Sequence, residues 1–249
     1  MAEDKLEGSV EDRRFGGVAR LYGPELRERF RDATVVVAGL GGVGSWAAEA
    51  LARTGIGHLV LVDFDHIAES NTNRQLHALE GQYGKAKVQA MTDRILQINP
   101  EIQLTPCDEF LEPDNLDILI PQGAIVLDAT DSVLTKIALA VWAEKNQRAL
   151  VMCGAAGGKS DPTSVRCDDL SRTEQDALLA KVRQGLRQDH GFSRNLKKKI
   201  GIRAVYSHQP RAGVATGGLA CSGYGSTVMV TAACGLAAAA EVLNLIAAQ

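Results

Sequence analysis

The sequence has no Cys-x-x-Cys pair. Its five cysteines, Cys107, Cys153, Cys167, Cys221 and Cys234, are odd in number and scattered. That pattern excludes a four-cysteine zinc site, so no zinc is expected, and it argues against a disulfide framework. A reduced, cytoplasmic setting fits it. A surplus of positive charge is missing too. The net charge is −3, so the whole molecule is not a basic nucleic-acid binder, though a local patch stays open. The first residues, "MAEDKLEGSVEDRR", hold no apolar run, and no secretory signal is expected there. Internal repeats and low-complexity linkers are absent. What is present is a chain of 249 residues, 45% apolar and 23% charged, the proportions of one large globular domain.

One apolar stretch is long. "VMVTAACGLAAAAEVLNLIAA", from Val228, has the length of a membrane span. It is mostly alanine, it contains Glu241 and Asn244, and no Lys or Arg follows it. An acid near mid-span costs about 3 kcal/mol on insertion scales. The segment therefore reads as a core helix against a sheet, and no stable membrane insertion is expected.

The most informative stretch is "VVVAGLGGVGS", residues 35 to 45. A β-branched run reads as a buried parallel strand. The glycines Gly39, Gly41, Gly42 and Gly44 then allow a tight turn that brings bare backbone N–H groups close to a phosphate. Residues Val43 to Arg53 read as the following helix, whose N-terminus favours an anion. An acid is expected about 20 residues further on, at the end of the next strand, to hold ribose hydroxyls. "HLVLVDFD" supplies Asp63.

Further along, a helix is expected over Lys85 to Ile98, stopping at Asn99-Pro100. "IQLTPC" and "AIVLDAT" read as strands, Val133 to Asn146 as a helix, and "ALVMCGAAGG" as a strand entering a glycine loop. The alternation implies a Rossmann-like α/β fold, doubly wound on a mainly parallel sheet. Ser171-x-x-Glu174 has the form of a capping box, opening an amphipathic helix to about Gln188. A basic loop, the strand "IRAVYS", a glycine-rich loop and the Ala-rich helix complete the chain. We read a single domain over 1–249, with an ATP-binding half at 30–158 and a crossover and substrate half at 159–249.

The polar residues after Asp63 favour a triphosphate over a dinucleotide. "DFDHIAESNTNRQ" places Asn71, Asn73, Arg74 and Gln75 together. "GQYGKAKVQA" puts Lys85 and Lys87 at a helix start, where a cation is unfavourable unless an anion sits there. "LDATDS" carries Asp131 beyond a strand end, the ligand-facing edge of an open sheet. Asn, Arg and Lys with an Asp suit ATP and Mg²⁺. Singly, Asn71 reads as a turn cap, Lys87 as a solvated helix charge and Asp131 as the cap before Val133.

Taken in order, "GLGGVGS", "LVDFDHIAESNTNRQ", "GKAKVQA" and "LDATDS" resemble the ATP-binding motifs of the ubiquitin-activating-enzyme-like adenylating family. The resemblance makes Gly41 and Gly42 the phosphate turn, with Gly39 and Gly44 in the same fingerprint, and Asp63 the ribose ligand. Asn71, Arg74 and Lys87 hold phosphates, Asp131 holds magnesium, and Asp65 and Gln75 join the nucleotide set. Arg74, Lys87 and Asp131 are the catalytic candidates.

Two departures narrow the match. Members that activate sulfur carriers usually have paired Cys-x-x-Cys zinc ligands; this chain has none. Eukaryotic members use a cysteine to take a protein as a thioester. Cys167 and Cys221 have no adjacent His or evident base, and read as small buried residues.

"RRFGGVARLYG", "GGKSDPTSV", "DLSRTEQDALLAKVR" and "YGSTVMVTAACG" resemble instead the members that act on tRNA. Their activity is ATP-dependent cyclisation, with loss of water, of the threonylcarbamoyl group on adenosine-37. The resemblance implies a homodimer, and it brings a sulfur-transfer (cysteine desulfurase) system as a candidate partner. Carrier activators have a second arginine where this chain has Gly17, so an arginine from that segment must be Arg14 or Arg20.

The basic patch for tRNA is sought in Lys181 to Arg203, which holds eight Lys or Arg and one acid, Asp189. Arg183, Arg187, Arg194, Lys197, Lys198, Lys199 and Arg203 are the RNA-binding candidates, with Phe192 and His190 available to stack on a base. The alternatives at this point are an activator of a Gly-Gly-ended sulfur-carrier protein, a dehydrogenase, and a silent nucleotide-binding partner.

Overall fold

The computed structural model describes residues 10–212 and 224–249. Its centre is a seven-stranded sheet in the order β3-β2-β1-β4-β5-β7-β6. The strands are β1 (Thr34–Ala38), β2 (His58–Val62), β3 (Gln103–Cys107), β4 (Ile125–Asp128), β5 (Leu150–Cys153), β6 (Val165–Asp169) and β7 (Arg203–Ser207). All neighbours pair in parallel except β6, which runs antiparallel to β7. The fold is thus the expected Rossmann-like α/β architecture, with an antiparallel edge strand that was not expected.

Side-chain parity divides the core. Val35 and Val37 of β1, with Leu59 and Leu61 of β2, face one layer; Val36, Ala38, Val60 and Val62 face the other. The first layer is made by α3 (Gly44–Thr54), α4 (Lys87–Ile98) and α8 (Val228–Ala248), with α1 (Val10–Tyr22) and α2 (Pro24–Asp32) against them. The second is made by α5 (Leu116–Leu119), α6 (Val133–Lys145) and α7 (Ala177–Asp189).

The Ala-rich helix α8 is long and apolar enough to cross a membrane. Here its Val230, Cys234, Ala238, Val242 and Ile246 are buried against α3 and the sheet. The approach to α3 is close. A Cβ on Gly235 would lie 2.4 Å from the Val43 carbonyl oxygen. Arg29 of α2 donates to the carbonyls of Ile246 and Ala247, covering the helix's exposed C-terminal acceptors.

Two helix starts differ from expectation. α4 begins at Lys87, two residues late, because Gly84 sits at φ +83° and Ala86 bridges to His66. α7 begins at Ala177, and Ser171 and Glu174 do not cap it. Ser171 lies in a short 3₁₀ turn, Leu170–Arg172. The cap is Asp176, whose Oδ1 accepts from the Leu179 amide at 2.9 Å. Its Oδ2 accepts from the buried Ala155 amide at 2.8 Å, so a long-range bond fixes where the helix begins.

Candidate nucleotide cleft and basic face

A cleft of about 500 Å³ opens at the C-terminal ends of β1, β2 and β4. This is where the strand order reverses, the favoured ligand position of an open α/β sheet. Its floor is the glycine turn. Gly39 sits at φ +85°, and a Cβ there would meet Ala129 and Thr130 backbone at 3.0 Å. A Cβ on Gly44 would lie 1.8 Å from the Gly39 carbonyl oxygen. Gly42 packs against Arg74 and Thr231. Gly41 is different: a Cβ there meets nothing within 4 Å. Gly39 and Gly44 therefore shape the turn, and Gly41 is the position that leaves room for a ligand. No side chain caps α3; the Ser45 amide donates to the Gly41 carbonyl at 3.1 Å, and the rest of the helix start favours an anion.

Asp63 follows β2 and closes the turn. Its carboxylate accepts from the Leu40 and Asp65 amides. Burial holds its carboxyl above the ordinary range, against the opposing pull of Lys87. Lys87 is buried, not solvated: its side chain is 5% exposed. Its Nζ lies 2.7 Å from Asp65 Oδ2 and 3.7 Å from Asp63 Oδ1. Arg74 lines the same wall, with Nη1 donating to Ser70 O and Asn73 Oδ1, each at 2.9 Å. Asn71 both lines the cleft and, through Oδ1, accepts from the Ala68 amide at 3.0 Å. Gln75 is buried beside it, with Oε1 lacking a partner.

Asp131 stands exposed on the opposite lip. It is not the cap of α6; Ser132 is, accepting from the Thr135 amide at 3.2 Å. Asp131 is thereby free to face a ligand. Among the described residues no group of three or more His, Cys, Asp or Glu is gathered. A magnesium ion would have to combine Asp131 with oxygens of the nucleotide itself, which suits an ion bound by one or two carboxylates plus phosphates.

The sequence did not single out the base of the cleft. Asp128 and Lys136 form a fully buried ion pair, Oδ2 to Nζ 3.0 Å. Asp128 Oδ1 also accepts from the Thr130 amide and hydroxyl. Behind the other wall, buried Lys159 donates to the carbonyls of Ser207 at 2.6 Å and Gln175 at 3.2 Å, and lies 4.0 Å from Asp176. At the rim, Phe64 and Phe110 stack at 4.4 Å between centroids. The i to i+8 spacing of Asp128 and Lys136, one strand end to the next helix's inner face, was the available signal for that pair.

Several predicted residues lie elsewhere. Arg14 and Arg20 are exposed on α1 and do not line this cleft; Arg14 donates to the Ile98 carbonyl. Arg203 is not on the basic face. It points to the opposite side of the sheet from α7, where its Nε is 2.8 Å from Glu241 and its Nη2 is 3.1 Å from Cys167 Sγ. Phe192 is buried in the α7-side core and cannot stack on a base. His190 is exposed. Arg183 and Arg187 are half-buried on α7, and Arg194, Lys197, Lys198 and Lys199 are exposed beyond it. Burial, and then the hydrogen-bonded Glu241 carboxylate, push the Cys167 thiol up to about 12, so it is a poor nucleophile. Cys221 lies outside the described residues.

Comparison with known proteins agrees with this geometry. The model of the ThiF family matches residues 16–249. The tRNA threonylcarbamoyladenosine dehydratase of Escherichia coli (strain K12) is 44% identical over 252 residues, covering 95% of this chain and 94% of that protein. The crystal structure of the E. coli tRNA N6-threonylcarbamoyladenosine dehydratase in complex with ATP superposes with a TM-score of 0.90 at 44% identity, covering 97% of this chain and 96% of that one. The molybdopterin-synthase adenylyltransferase of Salmonella typhimurium is 40% identical over 116 residues, 47% of each chain.

Proposed function

The chain belongs to the ThiF family, and from that premise we propose that it is the ATP-dependent enzyme that cyclises threonylcarbamoyladenosine at position 37 of tRNA, with loss of water. One observation carries this reading above all. The cleft joins an open glycine turn to Arg74, Lys87 and Asp131, and the likeness to a dehydratase of that specificity runs through both halves of the chain. The likeness to a carrier adenylyltransferase covers less than half of it.

The threonine carboxylate is a poor electrophile. Attack by its oxygen on the α-phosphorus of ATP makes an acyl-adenylate and releases pyrophosphate. The neighbouring carbamoyl oxygen then closes on the activated carbonyl, and AMP leaves with the carboxylate's former oxygen. Ring closure is intramolecular, so effective molarity supplies much of the rate and no enzyme nucleophile is needed. That agrees with the unreactive Cys167. Gly41 gives the phosphates access to backbone donors, while Arg74 and Lys87 offset charge developing on them. Lys87 rests between Asp63 and Asp65 beside the turn, a cation already desolvated and aimed. Mg²⁺, held by Asp131 and phosphate oxygens, would supply further charge neutralisation at the leaving pyrophosphate.

We further propose that the enzyme works as a homodimer in which Arg14 or Arg20 reaches the partner's cleft. The support is that both are exposed on α1 and absent from their own chain's cleft. Mixing Arg14→Ala or Arg20→Ala chains with Lys87→Ala chains tests it. Recovered activity is expected in one mixture, and none in either would sink the shared site.

The decisive experiment for the reaction is mass spectrometry of nucleosides from threonylcarbamoyladenosine-containing tRNA after incubation with enzyme and ATP. Loss of one water from the modified adenosine is expected, with one AMP formed per event. Pyrophosphate exchange that requires a Gly-Gly-ended protein would overturn the assignment.

A further inference from the structure

Outside the cleft, one cluster of charges is left without an answer in the fold. A notch of about 460 Å³ on α7 is lined by Ala180, Arg183, Gln184, Arg187, Gln188 and Arg194, with no acidic side chain among them. Among the described residues, none of the arginines has a carboxylate within ion-pair distance. Arg187 has Nε and Nη2 buried without a hydrogen-bond partner. Unmet buried donors on a cation are costly, more so beside like charge. Burial, and then Arg187 itself, hold the Arg183 guanidinium below its ordinary range.

The three arginines are not equivalent. Arg183 is anchored, donating to Thr173 Oγ1 and the Leu170 carbonyl. Arg194 is exposed and leans across the notch, its Nε 3.4 Å from the Arg187 carbonyl. Arg187 lies between them with donors to spare. Planar guanidiniums in a concave site suit a phosphate taken bidentately, which ammonium groups do not. Lys197, Lys198 and Lys199 are exposed outside the notch and suit looser, point-charge contacts.

The notch is also tied to the cleft. Leu178, in the first turn of α7, lines the cleft, and Asp176 fastens that turn to Ala155. Arg187 follows nine residues later, about 14 Å along a rigid helix axis. That is a span of a few nucleotides along a strand whose one base is delivered to the cleft.

We propose that Arg187 and Arg194, with Arg183 as the fixed back wall, grip a single backbone phosphate of the RNA substrate and so set which nucleotide arrives in the cleft. This rests on the tRNA reading above and assigns a phosphodiester to a defined site within it.

The test uses the full chain and compares Arg187→Gln, Arg194→Gln, their double variant, Arg187→Lys, and the Lys197→Ala/Lys198→Ala/Lys199→Ala triple. tRNA binding is measured by filter retention at several salt concentrations, and turnover by AMP release at varied tRNA and ATP. Arg187→Gln should weaken tRNA binding about tenfold, the loss of one charge-assisted hydrogen bond. Because both arginines hold the same phosphate, the double variant should flatten the log–log salt dependence by only about one unit. Arg187→Lys should lose affinity while keeping the slope. KM for ATP should stay at the wild-type value in all of them, which also reports a folded cleft. Millimolar inorganic phosphate should compete with tRNA on the wild type and not on Arg187→Gln.

Wild-type tRNA affinity in the double variant overturns the proposal. A slope reduced by two units overturns it as well, since that means two independent surface charges. Phosphate binding at Arg187 with tRNA affinity unmoved means a free-anion site only, and also refutes it. Failure of the wild type to release AMP with modified tRNA would instead overturn the reaction, a separate result.

Discussion

In and behind the cleft, each buried ammonium has a carboxylate near it: Lys87 has Asp63 and Asp65, Lys136 has Asp128, and Lys159 has Asp176. On the α7 face, Arg183, Arg187 and Arg194 share a notch with no such partner. The difference follows from solvent. A charge taken wholly out of water costs several kcal/mol unless paired. The cleft must therefore be neutralised within the chain before a nucleotide enters. A half-solvated rim can leave part of its charge waiting for a ligand.

The largest effect should come from breaking the deepest pair. Lys136→Met leaves Asp128 buried and unpaired, and should cost about 3–5 kcal/mol of stability. Asp128→Leu with Lys136→Met should restore much of that loss. Urea unfolding of the single and double variants measures both, and additive losses would show that the pair does not act as a unit.

Next in size is turnover. Lys87→Ala and Asp131→Ala should each lower kcat by about 10²–10³, the scale of losing one group that stabilises transition-state charge. They should differ in stability. Asp131 is exposed and unpaired, so its variant should unfold as the wild type does. Lys87→Ala strands Asp63 in the buried turn and should unfold earlier. Equal melting of the two would erase the contrast between a resident pair and a free ligand group.

Acid should act more gently, on a buried group near Lys87. His77 is buried with neither ring nitrogen partnered, and burial, helped by Lys87, pushes its pKa down to about 4. The folded state therefore favours the neutral ring. Stability is complete above the ordinary histidine range and is lost as pH falls from about 6.5 towards 4, by up to about 3 kcal/mol. Unfolding of His77→Gln across that window should be flatter than wild type; parallel curves would remove His77 as the cause.

The smallest change should come from the exposed lysines. The Lys197, Lys198 and Lys199 triple alanine variant should weaken tRNA binding and lower its salt slope by up to about three units, with ATP affinity and thermal stability unmoved. Superimposed salt titrations would mean that this segment is only solvated surface.

What the sequence made legible was local. The turn at Gly39 to Gly44, the strand before it, the helix after it and Asp63 are read within about 30 residues, because each is specified by its near neighbours. What it hid was long-range. Strand β6, "VRCDD", has only Val165 and Cys167 to mark an inward face, too short a pattern to announce a strand, and its pairing with β7 is long-range. Ser171 and Glu174 satisfy a capping rule, yet Asp176 wins through its bond to Ala155. Arg203 sits in a basic run, but strand parity turns it away from α7 and towards Glu241. Phe192 lies among charges in sequence and under α7 in space, its amide bonded to the Leu186 carbonyl. Taken alone, Lys87 reads as a solvated helix charge, because helix periodicity cannot show the two carboxylates that follow β2.

The two borders of the sheet carry a consequence for self-association. β3 contains Pro106, which has no N–H to offer a neighbouring strand. β6 is a five-residue strand bearing Arg166 and Asp168, and it runs against the direction of the rest. Short, charged or proline-bearing margins discourage strand addition. A second copy of the chain is thereby steered to helix surfaces, and a concentrated solution is guarded against open-ended polymerisation into fibrils.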